Sequence, residues 1–72
     1  MSRNVTATER NALEALIDKT SLHQVLNAIA GICTDKGDHL RTNWQSLESA
    51  KVWERHGRLI EQRADVVRLD GI

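Results

Sequence analysis

The sequence contains no proline, phenylalanine or tyrosine, and it has one cysteine, Cys33. A single cysteine excludes a disulfide within the chain and suits the reducing cytoplasm, where we expect the protein to be found. The longest apolar run, 25–33, is interrupted by Asn27 and Gly31, so neither a membrane span nor a signal peptide is expected. The 72 residues (1–72) allow one small domain at most, for which oligomerisation is the most available support.

Net charge is also lacking, because ten acidic residues balance ten basic ones. Nucleic acids and membrane surfaces usually bind a face with net positive charge, so both are disfavoured as partners. The residues that are present include 28% charged and 40% hydrophobic side chains, which is the composition of a folded helical protein rather than of a disordered chain.

Apolar residues recur at steps of three and four, which predicts an all-α fold. The expected helices cover about 7–19, 22–42 and 47–69. Thr6 with Glu9 and Ser21 with Gln24 have the spacing of capping boxes, which start helices. We therefore expect a short N-terminal helix followed by two long ones.

The segment DKGDH, 35–39, has the composition of a turn, with Gly37 at its centre. The apolar residues of this segment nevertheless keep their helical spacing from Leu22 to Leu40, across that glycine. A break would have no reason to preserve this phase, so the second helix is predicted to be continuous. An internal glycine costs about 1 kcal/mol relative to alanine, which requires a packing reason.

A short connector, with Gln45 or Ser46 as the next helix cap, predicts that the two long helices form an antiparallel hairpin. In that pairing Gly57 faces Cys33, and Trp53 faces Gly37, which would be a socket for the indole. The first helix is expected to pack across both long helices, and Gly71 to end the third. The seam of the third helix is predicted to comprise Leu47, Ala50, Trp53, Gly57, Ile60, Ala64 and Val67.

A second apolar stripe, Val52, Leu59 and Val66, repeats every seven residues beside this seam. The two stripes are wider than one partner helix covers, so we expect the hairpin to assemble into a dimeric helical bundle. Trp44 at the hairpin tip is either an exposed anchor for a partner or a plug that packs the end of the helix pair.

Residues suited to catalysis or metal binding are few and poorly spaced. Asp35 and His39 are four apart and could share a metal, but the chain has no C-x2-C or H-x3-H pair, so a surface ion pair is the favoured interpretation. Cys33 and His39 are six apart and point to different helix faces, which argues against a thiolate nucleophile. No catalytic, cofactor-binding or metal residue is assigned.

Basic residues on the third helix give an alternative. Lys51, Arg55 and Arg58 align on one face, with Arg63 adjoining, and could contact phosphates. Interleaved acids dilute this face, namely Glu48, Glu54, Glu61 and Asp65. The sequence therefore favours a non-enzymatic module for protein binding or oligomerisation, and leaves a small nucleic-acid-binding regulator as the second hypothesis.

Overall fold

The computed structural model describes residues 3–43 and 46–72. These residues form three α-helices and no strand, and their bounds coincide with the expected ones. The helices are α1 (Ala7–Lys19), α2 (Leu22–Thr42) and α3 (Leu47–Leu69). The α2 helix runs through Gly37 without a break, as its apolar phase predicts. The α2 and α3 helices pack extensively against each other as a hairpin.

The first helix begins with a complete capping box. The Glu9 amide donates to the Thr6 hydroxyl at 3.1 Å, and the Thr6 amide donates to the Glu9 carboxylate at 2.9 Å. The Arg3 guanidinium donates to both oxygens of the same carboxylate, at 2.6 and 2.8 Å. These bonds, the one from Arg3 above all, lower the pKa of Glu9 to about 2. The acid is thus ionised at the helix N-terminus, where a negative charge is favourable.

Serines cap the two long helices. The Ser21 hydroxyl accepts from the Gln24 amide at 3.2 Å, and the Ser46 hydroxyl accepts from the Ser49 amide at 3.2 Å. Only one of the two bonds of the predicted capping box at Ser21 is present among the described residues, because the Gln24 side chain makes no bond back to the Ser21 amide. The Ser21 hydroxyl also lies 3.1 Å from Nδ1 of His23. One cap bond is enough to start α2 where the sequence predicts it.

The seam between α2 and α3 is built from small side chains. A Cβ added to Gly57 would lie 3.2 Å from Cβ of Cys33 and 3.3 Å from the carbonyl oxygen of Ala30, so Gly57 faces Cys33 as predicted. Of the described residues, none larger than valine is buried. The buried residues are Val25, Ala30, Cys33, Gly37, Ala50, Gly57 and Ala64. The two backbones therefore approach closely at these positions, and larger aliphatic residues along the same line of α2, namely Leu22, Leu26 and Leu40, are only half-buried.

The prediction that Trp53 fills a socket at Gly37 is wrong. A Cβ on Gly37 would lie 2.9 Å from Cγ of Glu54 and 3.2 Å from the carbonyl oxygen of Ala50, so α3 itself occupies that space. Trp53 is 39% exposed, and Leu47, also assigned to the seam, is 54% exposed. Helices that meet through small residues leave no room for an indole between them, and these large side chains are displaced to the flanks.

An ion pair joins α2 to α3 near the hairpin connection. The Arg41 guanidinium donates through Nε and a terminal nitrogen to both oxygens of Glu54, at 2.6 and 2.7 Å. This bond lowers the pKa of the Glu54 carboxyl. Two parallel bonds fix the direction of both side chains more firmly than a single contact would.

The opposite end of the hairpin is closed by main-chain bonds. Gly71 has a φ of +84°, which turns the chain out of α3, and the Ile72 amide donates to the carbonyl of Val67 at 3.4 Å. The amides of Leu22 and His23 then donate to the main-chain oxygen of Ile72, at 2.6 and 3.2 Å. The residues after α3 thus satisfy two of the free amides at the start of α2.

Replacing Gly71 by alanine is expected to loosen this closure. A side chain at positive φ costs about 1–2 kcal/mol, which corresponds to a fall in Tm of several degrees for a chain of this size. Hydrogen exchange should accelerate at the Leu22 and His23 amides and remain unchanged at the Gln24 amide, whose partner is Ser21. Unaltered exchange at Leu22 and His23 would contradict the assignment.

The first helix packs differently from expectation. Within residues 3–43 and 46–72, α1 contacts α2 and not α3, so it does not lie across both long helices. None of its residues is buried, and of its apolar residues Ile17 is half-buried while Leu13 and Leu16 are 44% and 46% exposed. The short link Thr20–Ser21 holds α1 beside the start of α2. The helix therefore covers little of the apolar surface that the hairpin leaves.

Candidate interaction surfaces

One broad side of the hairpin is polar, and the Arg41–Glu54 pair marks it. Successive residues of a helix turn by about 100° around the axis. On α2, this turn places Arg41 to one side of the buried Cys33, and Ile29 and Ile32 to the other.

The same geometry applies to α3. Glu54 lies to one side of the buried Gly57, and Trp53 and Ile60 lie to the other. Because Arg41 and Glu54 meet, the apolar residues of the two helices share the remaining side. We define the apolar face as Leu16, Ile29, Ile32, Trp53 and Ile60.

Most of the apolar face is open. Ile32 is 54% exposed and Ile29 is exposed, while Ile60 is half-buried against the hairpin. An open cleft between α1 and α2 continues the surface, and Leu16 and Val25 are among its lining residues. Ile29 and Ile32 keep the apolar phase of α2, and Ile60 belongs to the predicted seam of α3, but periodicity does not show that a seam of small residues leaves such side chains uncovered.

The molecule exposes more surface than a compact monomer should. A chain of this length is expected to expose about 4,500 Å², whereas this one exposes 5898 Å². Its radius of gyration is 14.0 Å, against about 11 Å for a compact domain. The Cα extents of 38 × 29 × 14 Å show that it is about twice as wide as it is thick. The surplus of about 1,400 Å² includes exposed surface of α1, none of whose residues is buried, and of the apolar face.

The predicted stripe on α3 lies on a different side of the molecule. Val52, Leu59 and Val66 are 44%, 52% and 46% exposed. They lie about 140–180° around the axis from Gly57, so the stripe occupies the outer side of α3, away from α2, rather than a position beside the seam. Neither α1 nor α2 covers it.

The basic residues surround this outer stripe. Lys51, Arg55 and Arg58 are exposed on one side of it, and Arg63 is exposed on the other. The ion pairs recorded among residues 3–43 and 46–72 are Arg3–Glu9 and Arg41–Glu54, so no ion pair to these four cations appears in that part of the chain.

Two further predictions concern Trp44 and the pair Asp35 and His39. Trp44 lies outside the described residues. Asp35 and His39 line an open cleft of about 330 Å³ together with Ile32 and Lys36, at the edge of the apolar face. Among the described residues, no three His, Cys, Asp or Glu side chains come together as a metal site would require.

No helix within 3–43 and 46–72 combines the length and the apolar content that crossing a bilayer would require. The described residues present two separate exposed apolar surfaces, the apolar face and the outer stripe of α3.

Comparison of the chain with protein-family models, with curated proteins and with solved structures found no match.

Proposed function

We propose that this chain is a non-enzymatic, self-associating protein-interaction module in which two copies bury the apolar face against each other. The observation that carries the proposal is the surplus of exposed surface over that of a compact monomer of the same length. Part of that surface is the apolar face, on which isoleucine and tryptophan side chains are exposed.

The size of the surplus fits a second copy. If each of two chains hid about 1,400 Å², the interface would total about 2,800 Å², within the range of obligate homodimers. Two hairpins that meet through this face would form a four-helix arrangement with the large apolar side chains inside. A twofold axis would bring the same patch of each chain together, which requires no second kind of surface.

The weakness of the single-chain core supports the same conclusion. Alanine and glycine remove little apolar area from water. At about 25 cal/mol per Å² of buried apolar area, the buried seam therefore contributes little to the free energy of folding. Burial of Ile29, Ile32 and Trp53 in a dimer would add large apolar side chains to a core in which the described residues bury none larger than valine. The free, buried Cys33 suits the cytoplasmic location that we expect.

Dilution tests the proposal directly. We expect sedimentation equilibrium to show a dimer at tens of micromolar, and Tm to rise with protein concentration because association stabilises only the folded chain. A monomer at millimolar concentration, with a Tm independent of concentration, would refute self-association.

A further inference from the structure

We propose that the outer stripe of α3 docks an acidic amphipathic helix from a second protein. The outer stripe is the line Val52, Leu59 and Val66, on the side of α3 away from α2. This inference does not rest on self-association, because the apolar face that would form a dimer lies on another side of the molecule.

The shape of the stripe suits a helix. Its members are spaced by seven residues, which is two helical turns, so they form one line along α3. The line is about 21 Å long, and each side chain is roughly half exposed. An amphipathic helix laid along α3 would meet these three residues with its own apolar line, as helix-in-groove partners and coiled coils do.

The charges beside the stripe are segregated. Lys51 and Arg55 flank it on one side, and Arg63 on the other, all of them exposed. Between Val52 and Val66 the acids lie elsewhere on the helix, whereas Glu48 extends the line of the stripe at its N-terminal end. Glu54 turns to α2 and bonds Arg41, and the helical turn places Glu61 on that inner side as well.

A chain without net charge thus presents a locally basic border around an apolar line. A partner helix with acidic residues on both sides of its own apolar line would complement this border, and such complementarity accelerates and orients association. Nucleic acid fits less well, because the aliphatic line would face phosphates. A membrane surface also fits less well, because the apolar line is one residue wide.

Fluorescence anisotropy with labelled peptides tests the proposal on the full chain. The probe is a 21-residue helical peptide with leucines in a seven-residue repeat and glutamates on both flanks. The control peptide has the same leucines with lysines on the flanks. We expect the acidic peptide to bind at least tenfold more tightly than the basic one, with an affinity that falls as salt is added.

Variants separate the two surfaces. Leu59→Ser should lower the affinity for the acidic peptide at least tenfold and leave the sedimentation behaviour unchanged. The double variant Arg55→Glu, Arg63→Glu should bind the basic peptide more tightly than the acidic one. Ile32→Ser on the apolar face serves as the matched control, and it should leave peptide binding intact. Circular dichroism should show the variants of the outer stripe folded, because those changes are on an exposed side of α3. It also gives the temperature range in which Ile32→Ser, a change in the proposed dimer interface, is folded and can be compared.

Three outcomes would overturn the proposal. They are equal binding of the two peptides, binding that Leu59→Ser does not alter, and tighter binding of random-sequence duplex DNA or of anionic lipid vesicles than of the acidic peptide. The last result, with binding lost in the double arginine variant, would instead support the nucleic-acid or membrane alternative. Failure of dimerisation alone would leave the inference standing.

Discussion

Replacing Gly57 by leucine is expected to separate α2 from α3 and to unfold the hairpin under conditions in which the parent chain is folded. The Cβ position of Gly57 already lies 3.2 Å from Cβ of Cys33 and 3.4 Å from Oγ1 of Thr34. A leucine adds three further carbons where α2 stands. Overpacking costs about 1–3 kcal/mol or more, which exceeds the gain of about 0.8 kcal/mol in helix propensity. The net loss is large for a chain with so small a core.

Gly31 provides the matched control, because it lies in the same hairpin but nothing stands within 4 Å of its Cβ position. Gly31→Leu should gain helix propensity without collision and stabilise the chain by about 0.8 kcal/mol. Thermal unfolding followed by circular dichroism compares the two variants. A Gly57→Leu protein that melts as high as Gly31→Leu would contradict the close approach of the helices.

Replacing Ile32 by glutamate is expected to abolish self-association. In the proposed dimer each copy buries this side chain, and an unpaired carboxylate there would be removed from water at a cost of several kcal/mol. We expect the dissociation constant to rise at least a hundredfold. The dependence of Tm on concentration should disappear, and Tm should fall to that of the dilute parent chain.

The control for this variant carries the same charge on the other side of α2. Asn27 is exposed and lies away from the apolar face, so Asn27→Glu should sediment as the parent chain does. If both glutamate variants dissociate the dimer equally, repulsion between charged chains is the cause. If neither does, the apolar face is not the interface.

Local signals in the sequence account for most of the fold. Cap residues and apolar periodicity place the helices, since Thr6, Ser21 and Ser46 each accept a bond from an amide in the first turn. The unbroken phase around Gly37 predicts a continuous α2, and the short connector predicts that Gly57 meets Cys33. These features depend on neighbours along the chain or on one loop, which a sequence shows directly.

The packing of the large side chains could not be obtained in the same way. Periodicity identifies a helix face but not the residue at its centre, and Trp53 lies only about 40° from Gly57 around the axis. The spacing of Ala50, Gly57 and Ala64 by seven residues was the available signal for a small seam. Where the structure describes the chain, α1 contacts α2 and not α3, and no sequence pattern specifies this position.

Because the buried seam consists of small side chains, the longitudinal alignment of α2 with α3 depends largely on contacts at the two ends of the hairpin. Alanine and glycine interlock only shallowly, as where Cβ of Cys33 lies against Gly57, so the seam adds little resistance to sliding along the axis. Two contacts fix this alignment. At one end Arg41 donates to both carboxylate oxygens of Glu54, and at the other the amides of Leu22 and His23 donate to the oxygen of Ile72. Because only residues 43–46 join α2 to α3, a chain deprived of both contacts would keep its register near the connection, and we expect its helices to fray apart from the far end.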